Sequence, residues 1–185
     1  LPVAAFDEFT LDLFIYHMLE LDLRWATVYY ENEQSLRQAA QKFRAAGMMV
    51  IWRPKLRPYE TYPAYLIERD IAILREVGIP PYLQLYNEPT LAAEWDGREV
   101  DLALYRQHFM NAAQQVYQVG GYIGIQEISP EHLHTLLTMI KAQAPYLLQE
   151  AFFLPHCYGS NHPPAYPYDD INQTTRATTI ENDYN

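Results

Sequence analysis

Apolar positions along this chain follow two rhythms that take turns. Over 7–22 they fall at Leu11, Phe14, Ile15, Met18, Leu19 and Leu21, close to the 3.6-residue period of a helix with one buried face, and Thr10 or Asp7 can cap it. The next run, Trp25-Ala26-Thr27-Val28-Tyr29-Tyr30, is aromatic and β-branched and stops at the polar turn Glu31-Asn32-Glu33-Gln34, which predicts a strand and a loop. The helical rhythm then returns at Leu36, Ala39, Ala40, Phe43 and Ala46, with Ser35 as the cap and Gly47 as the stop. A strand over 48–53, a Pro-rich loop over 54–63 and a helix over 63–77 follow, the helix turning Tyr65, Leu66, Ile71 and Leu74 inward and ending at Gly78. Further strands are predicted over 82–86, 122–126 and 151–154. A helix over 101–119 separates the first two of these, and one opened by Ser129-Pro130-Glu131 and running to about 143 separates the last two.

Strands that alternate with helices cannot be joined by tight hairpins, so this order predicts a parallel sheet and an α/β fold. No glycine-rich phosphate loop follows the first predicted strand, which disfavours a dinucleotide site and leaves no cofactor implied. The expectation is therefore a TIM-type (β/α) barrel forming a single domain over 1–185. It is incomplete in this chain: strands 2 to 6 are recognisable, and only Leu1-Pro2-Val3-Ala4-Ala5 could supply a first. A complete barrel typically takes about 250 residues. The segment 160–185, rich in Pro, Tyr and Asn, has no helical period and reads as an ordered loop packed on the domain.

Composition narrows the partners. A formal net charge of −10 repels phosphate backbones and anionic headgroups, so nucleic acid and membranes are poor partners. No apolar run reaches the roughly 20 residues a bilayer span needs, and the chain reads as a soluble domain. The compartment stays open: Asn172-Gln173-Thr174 matches the glycosylation pattern, and an extracellular protein whose leader has been removed fits as well as any other. Cys157 is the one cysteine, so no intramolecular disulfide can form. Sixteen tyrosines and three tryptophans supply flat faces with polar handles, the kind of surface on which sugar rings stack.

In a barrel, functional side chains sit where strands end and loops begin. Those positions hold Glu31, Arg53, Lys55, Arg57, Tyr86, Asn87, Glu88, Gln126, Glu127, His156, Tyr158 and Asn161. Asn87-Glu88-Pro89 is the sharpest signal among them. An acid directly after a buried strand lies at the mouth, where partial burial suits it to protonate a leaving oxygen, and its neighbour offers an amide to a hydroxyl. Trp52, Tyr86, Trp95 and Tyr158 are candidate stacking platforms. Arg53, Lys55 and Arg57 share one face of an extended stretch, where they can bind a carboxylate-bearing sugar or pair with Glu31, Glu60 or Glu88. His132 and His134 point different ways on a helix, and His156, Cys157 and His162 lack a ligand spacing, so no metal site is expected.

The run Leu83-Gln84-Leu85-Tyr86-Asn87-Glu88-Pro89 resembles the fourth-strand motif of the retaining (β/α)8 glycosidases of glycoside hydrolase clan A. The resemblance implies hydrolysis of β-linked glycosides with Glu88 as general acid/base and Asn87 binding the substrate's 2-hydroxyl. His156-Cys157-Tyr158 resembles the positions around the clan's nucleophile, and with the strand-end residues Trp52, Arg53, Tyr86, Trp95 and Glu127 the segment's His156 and Tyr158 are the expected lining of a carbohydrate site. The clan's nucleophile is a second Glu at the end of a seventh strand, and no seventh strand is recognisable. Glu31, Glu127 and Glu181 are the second carboxylates at hand, with Glu181 better read as a helix-start acid. Two rivals follow: a barrel-derived domain that binds saccharides or a protein without turnover, and a chain that self-associates through its open sheet edge.

Overall fold

The computed structural model describes the backbone of 3–4 and 8–9 and, with side chains, residues 10–127 and 129–154. Six strands, β1 Val3–Ala4, β2 Trp25–Tyr30, β3 Met49–Pro54, β4 Tyr82–Gln84, β5 Tyr122–Ile125 and β6 Ala151–Phe153, form one sheet. Five helices connect them: α1 Glu8–Glu20, α2 Glu33–Ala45, α3 Ala64–Val77, α4 Leu102–Gln118 and α5 Pro130–Gln143. Every pairing is parallel and each strand lies beside its sequence neighbour, β1 to β6 in order. The α/β reading and the parallel sheet therefore hold, and the order contains no reversal of the kind that creates a switch-point crevice in doubly wound sheets. Val3–Ala4 does supply a first strand, paired with Val28 and Tyr29.

The sheet has two unlike faces because its strands alternate. Ala26, Val28 and Tyr30 of β2, Val50, Trp52 and Pro54 of β3, and Leu83 of β4 point one way and are buried. Against them pack Leu36, Ala39, Ala40 and Phe43 of α2 and Ile67, Ile71 and Leu74 of α3, all essentially inaccessible. Neighbouring helices also touch in sequence, α1 with α2, α2 with α3 and α3 with α4, so they form one layer over that face. The other face carries Trp25, Tyr82, Tyr122 and Phe152, an aromatic row in which Tyr82 and Tyr122 stack at 4.5 Å and Phe152 meets Tyr82 edge-on at 5.5 Å. Gly124 lies on this side, between Gln84 and Phe152 in register. A Cβ there would come within 2.6 Å of the Leu83 carbonyl oxygen, so the close approach of β4 and β5 requires glycine.

Several local expectations are corrected. Asn32, not Ser35, is the N-cap of α2; its side chain accepts from the Ser35 N–H while Ser35 Oγ accepts from the Asn32 N–H, a capping box that starts the helix earlier. Tyr65 is 68% exposed and Ile67 takes the inward place, because the buried stripe of α3 runs through Ile67, Asp70, Ile71 and Leu74. Among the described side chains of α1, Leu11 and Ile15 are buried, and Leu19 and Leu21 lie exposed at its end. β4 closes at Gln84, two residues short of the expected end, which leaves Leu85 and Tyr86 in the turn that leads to Asn87. The segment 160–185 lies outside the described residues.

Candidate functional site

The parallel arrangement puts the carboxyl ends of β2 to β5 along one edge, and the polar residues that follow those strands collect there. After β4 the chain turns sharply. Glu88 has φ of +35°, a conformation that costs a side-chain-bearing residue of order 1–3 kcal/mol. The Glu88 carbonyl accepts from the Leu91 N–H at 2.9 Å, closing a turn with Pro89 at its second position, where a fixed φ favours turning. Trp95 then ties the loop down, its indole N–H donating to the Pro89 carbonyl at 2.8 Å from the 3-10 turn Ala92–Trp95.

Asn87 is held from both ends of its amide. Gln84 Nε2 donates to Asn87 Oδ1 at 3.2 Å, and Asn87 Nδ2 donates to Glu94 Oε1 at 2.6 Å. A longer contact of 3.3 Å runs from the same nitrogen to Glu88 Oε2. Glu94 is in turn fixed by Arg57, whose guanidinium bridges Glu94 at 2.9 Å and Asp96 at 3.0 Å, while Arg53 approaches Glu94 at 4.0 Å. Lys55 pairs with Glu31 at 2.7 Å, and the Arg57 backbone N–H donates to Glu60. The side chains of Arg53, Lys55 and Arg57 are thus engaged by carboxylates, Glu94 and Asp96 joining the expected Glu31, while the expected Glu60 takes the Arg57 backbone N–H instead.

Of the residues singled out in the sequence, Asn87, Glu88 and Arg53 meet at this edge, Asn87 buried and Glu88 partly exposed. Others lie elsewhere. Trp52 is fully buried on the helix side, its ring 6.4 Å edge-on from Phe43, so it is a core residue with no face for a sugar. Tyr86 is 2% exposed; its hydroxyl donates to the Glu60 carbonyl and its ring packs on Tyr105, and burial pushes that hydroxyl far above the usual tyrosine range. Trp95 is 1% exposed and anchors the loop rather than presenting a platform. A cavity of about 470 Å³ beside it is lined by Tyr59, Trp95, Arg98, Glu99, Asp101 and Leu102, without Asn87 or Glu88.

Alternation along β5 separates two neighbours that look interchangeable in the sequence. Glu127 is buried, and after burial itself its charge is the next cause holding the Tyr105 hydroxyl of α4 neutral. Gln126 instead faces Glu88, whose backbone N–H donates to Gln126 Oε1. His156 and Tyr158 lie outside the described residues, as do Cys157, Asn161, His162 and Glu181. Sequence reading missed Gln84 and Glu94 as members of the site. A polar residue inside an otherwise apolar strand was the available signal for Gln84, whereas nothing local distinguishes Glu94 from other loop acids. Among the described residues no group of three His, Cys, Asp or Glu side chains could hold a metal ion, and no helix is long and apolar enough to cross a membrane. No family model, no curated protein and no solved structure matches the chain.

Proposed function

We propose that this chain carries the acid/base side of a retaining β-glycosidase site on a TIM-type (β/α) barrel. The observation that carries the reading is the pairing of a partly exposed Glu88 with a buried, doubly tethered Asn87 in the turn that follows the fourth strand, at the carboxyl edge of a parallel sheet. A barrel accounts for the unreversed strand order, for one helical layer, and for an aromatic opposite face that would become a barrel interior.

In the proposed reaction Glu88 protonates the glycosidic oxygen as its bond to the anomeric carbon breaks and a second carboxylate bonds that carbon; Glu88, now ionised, then takes a proton from the water that displaces this carboxylate. Asn87 keeps its 2.6 Å bond to Glu94, and a substrate hydroxyl replaces the long 3.3 Å contact to Glu88 as the second acceptor of the amide. That exchange would release the Glu88 carboxyl toward the leaving group. The nucleophile is a second carboxylate about 5–5.5 Å from Glu88 in the bound enzyme, and the resemblance assigns it to a seventh strand, beyond the six described.

Turnover of aryl β-glycosides by the native protein and by Glu88→Ala tests the reading. Loss of an acid predicts a fall of about 10²–10⁴-fold for substrates with poor leaving groups and a much smaller one for nitrophenyl glycosides, whose leaving groups depart without a proton. Saccharide affinity with no turnover in either protein would replace the enzyme by a binding domain.

A further inference from the structure

Gln126 is a puzzle as a core residue. It is 1% exposed, and its Nε2 has no hydrogen-bond partner among the described residues. A buried amide with an unpaired N–H group is a net cost that an apolar residue of the same shape would avoid. Its other end is used: Oε1 accepts the backbone N–H of Glu88, the residue forced into positive φ. That peptide lies in a turn after β4 has ended, where no strand ladder can satisfy it, and β5 is the adjacent strand.

We infer that Gln126 is a positioning residue for Glu88, a side-chain acceptor that holds the Asn87–Glu88 peptide in its turned orientation and so aims the Glu88 carboxyl. Three features support this. The bond spans 38 residues and two strands, so it is not a by-product of local chain geometry. The strained φ persists only where surroundings over-determine it, and Gln126 and the Glu88 carbonyl to Leu91 bond grip the residue from both backbone sides. By alternation Gln126, just past β5, takes the sheet face of Tyr122 and Gly124, which Gln84 shares, whereas Glu127 takes the face of Ile123 and Leu83. The inference rests on the proposed role of Glu88 for its catalytic consequence, while its structural content stands independently.

The test uses Gln126→Met, which keeps the shape and removes the strong acceptor, and Gln126→Glu, which keeps a carboxyl oxygen at the same reach. In the Met variant the Glu88 amide proton should move upfield in the NMR spectrum and exchange faster, with the thermal midpoint unchanged or raised. Glycoside turnover should drop about 10²-fold, in kcat more than in KM, and more for poor leaving groups. The Glu variant should restore the amide proton shift and most of kcat. An unchanged Glu88 amide signal in Gln126→Met overturns the inference. So does a fall in thermal midpoint that accompanies the activity loss without rescue in Gln126→Glu. If Glu88→Ala leaves turnover intact, the glycosidase reading fails by itself, and the amide measurements still decide the role of Gln126.

Discussion

Two buried polar clusters in this molecule handle a carboxylate in opposite ways. Around Asp70 of α3 both oxygens are engaged: Oδ2 accepts from Tyr30 at 2.8 Å and Tyr62 at 2.5 Å, and Oδ1 receives the Arg69 guanidinium through two nitrogens. All of this is built on relaxed backbone, and Asp70 is 1% exposed. Around Glu88 the carboxylate is partly exposed, its backbone is strained, and a buried amide nitrogen nearby lacks a partner among the described residues. The first cluster locks the end of β2 to the loop before α3. The second leaves an acid accessible on strained backbone, the cost in stability that the proposed role of Glu88 would account for.

The largest effect expected of this contrast is at Asp70. Asp70→Ala leaves the Tyr30 and Tyr62 hydroxyls with only each other at 3.0 Å, so that one O–H loses its acceptor, strips a half-buried guanidinium of its carboxylate, and should lower unfolding free energy by about 3 kcal/mol, measured by urea denaturation. A loss below about 1 kcal/mol, no more than an ordinary hydrogen bond contributes, would erase the distinction between the clusters.

The tyrosines of the closed cluster make the next prediction. Burial first, and then the neighbouring Tyr62 and Asp70, hold the Tyr30 hydroxyl well above the ordinary value of 10.0; Tyr62 is raised by burial and by Asp70. Both states keep these protons below that pH. Above it the unfolded chain releases them while the folded protein does not, so stability present at neutral pH declines as pH rises, by up to about 1.4 kcal/mol per pH unit for each such tyrosine. Denaturant midpoints from pH 9 to 11 should fall less steeply in Tyr30→Phe than in the parent. Parallel slopes would mean that Tyr30 ionises as readily folded as unfolded.

The smallest effect belongs to the strained turn. Glycine accepts φ of +35° without a Cβ clash, so Glu88→Gly should raise stability by about 1 kcal/mol while lowering glycoside turnover as Glu88→Ala does. Calorimetry showing a destabilised Glu88→Gly would mean that the side chain, rather than the backbone, sets the energy of this turn.

The boundaries of the helices and strands were mostly legible, because each is set by local chemistry: the apolar stripe of α2, the αL stop at Gly78 and the proline opening α5 each act within a few residues. Errors arose where two local signals competed. Ser35 and Asn32 both suit a cap, and the choice depends on which side chain completes the reciprocal pair. Tyr65 and Ile67 both fit a helical face until the direction of the sheet is known. The candidate site was legible at Asn87 and Glu88, and at Arg53 and Gln126 as strand-end positions, because each placement follows from the end of a single strand. Trp52 and Tyr86 stand at equally plausible positions, yet packing against Phe43 and Tyr105 removes them from any surface.

By itself the sequence determined the alternation of elements, the parallel sheet that such alternation forces, and the acid after the fourth strand. Periodicity and turn chemistry act over one or two turns of chain, so they can be read without knowing what lies across from them. The tertiary structure decided which polar groups meet: Arg57 reaches Glu94 across 37 residues, and Gln126 rather than Glu127 reaches Glu88 across 38. Those choices depend on strand register and on which face each residue takes, and a shift of one residue would exchange Gln126 for its neighbour.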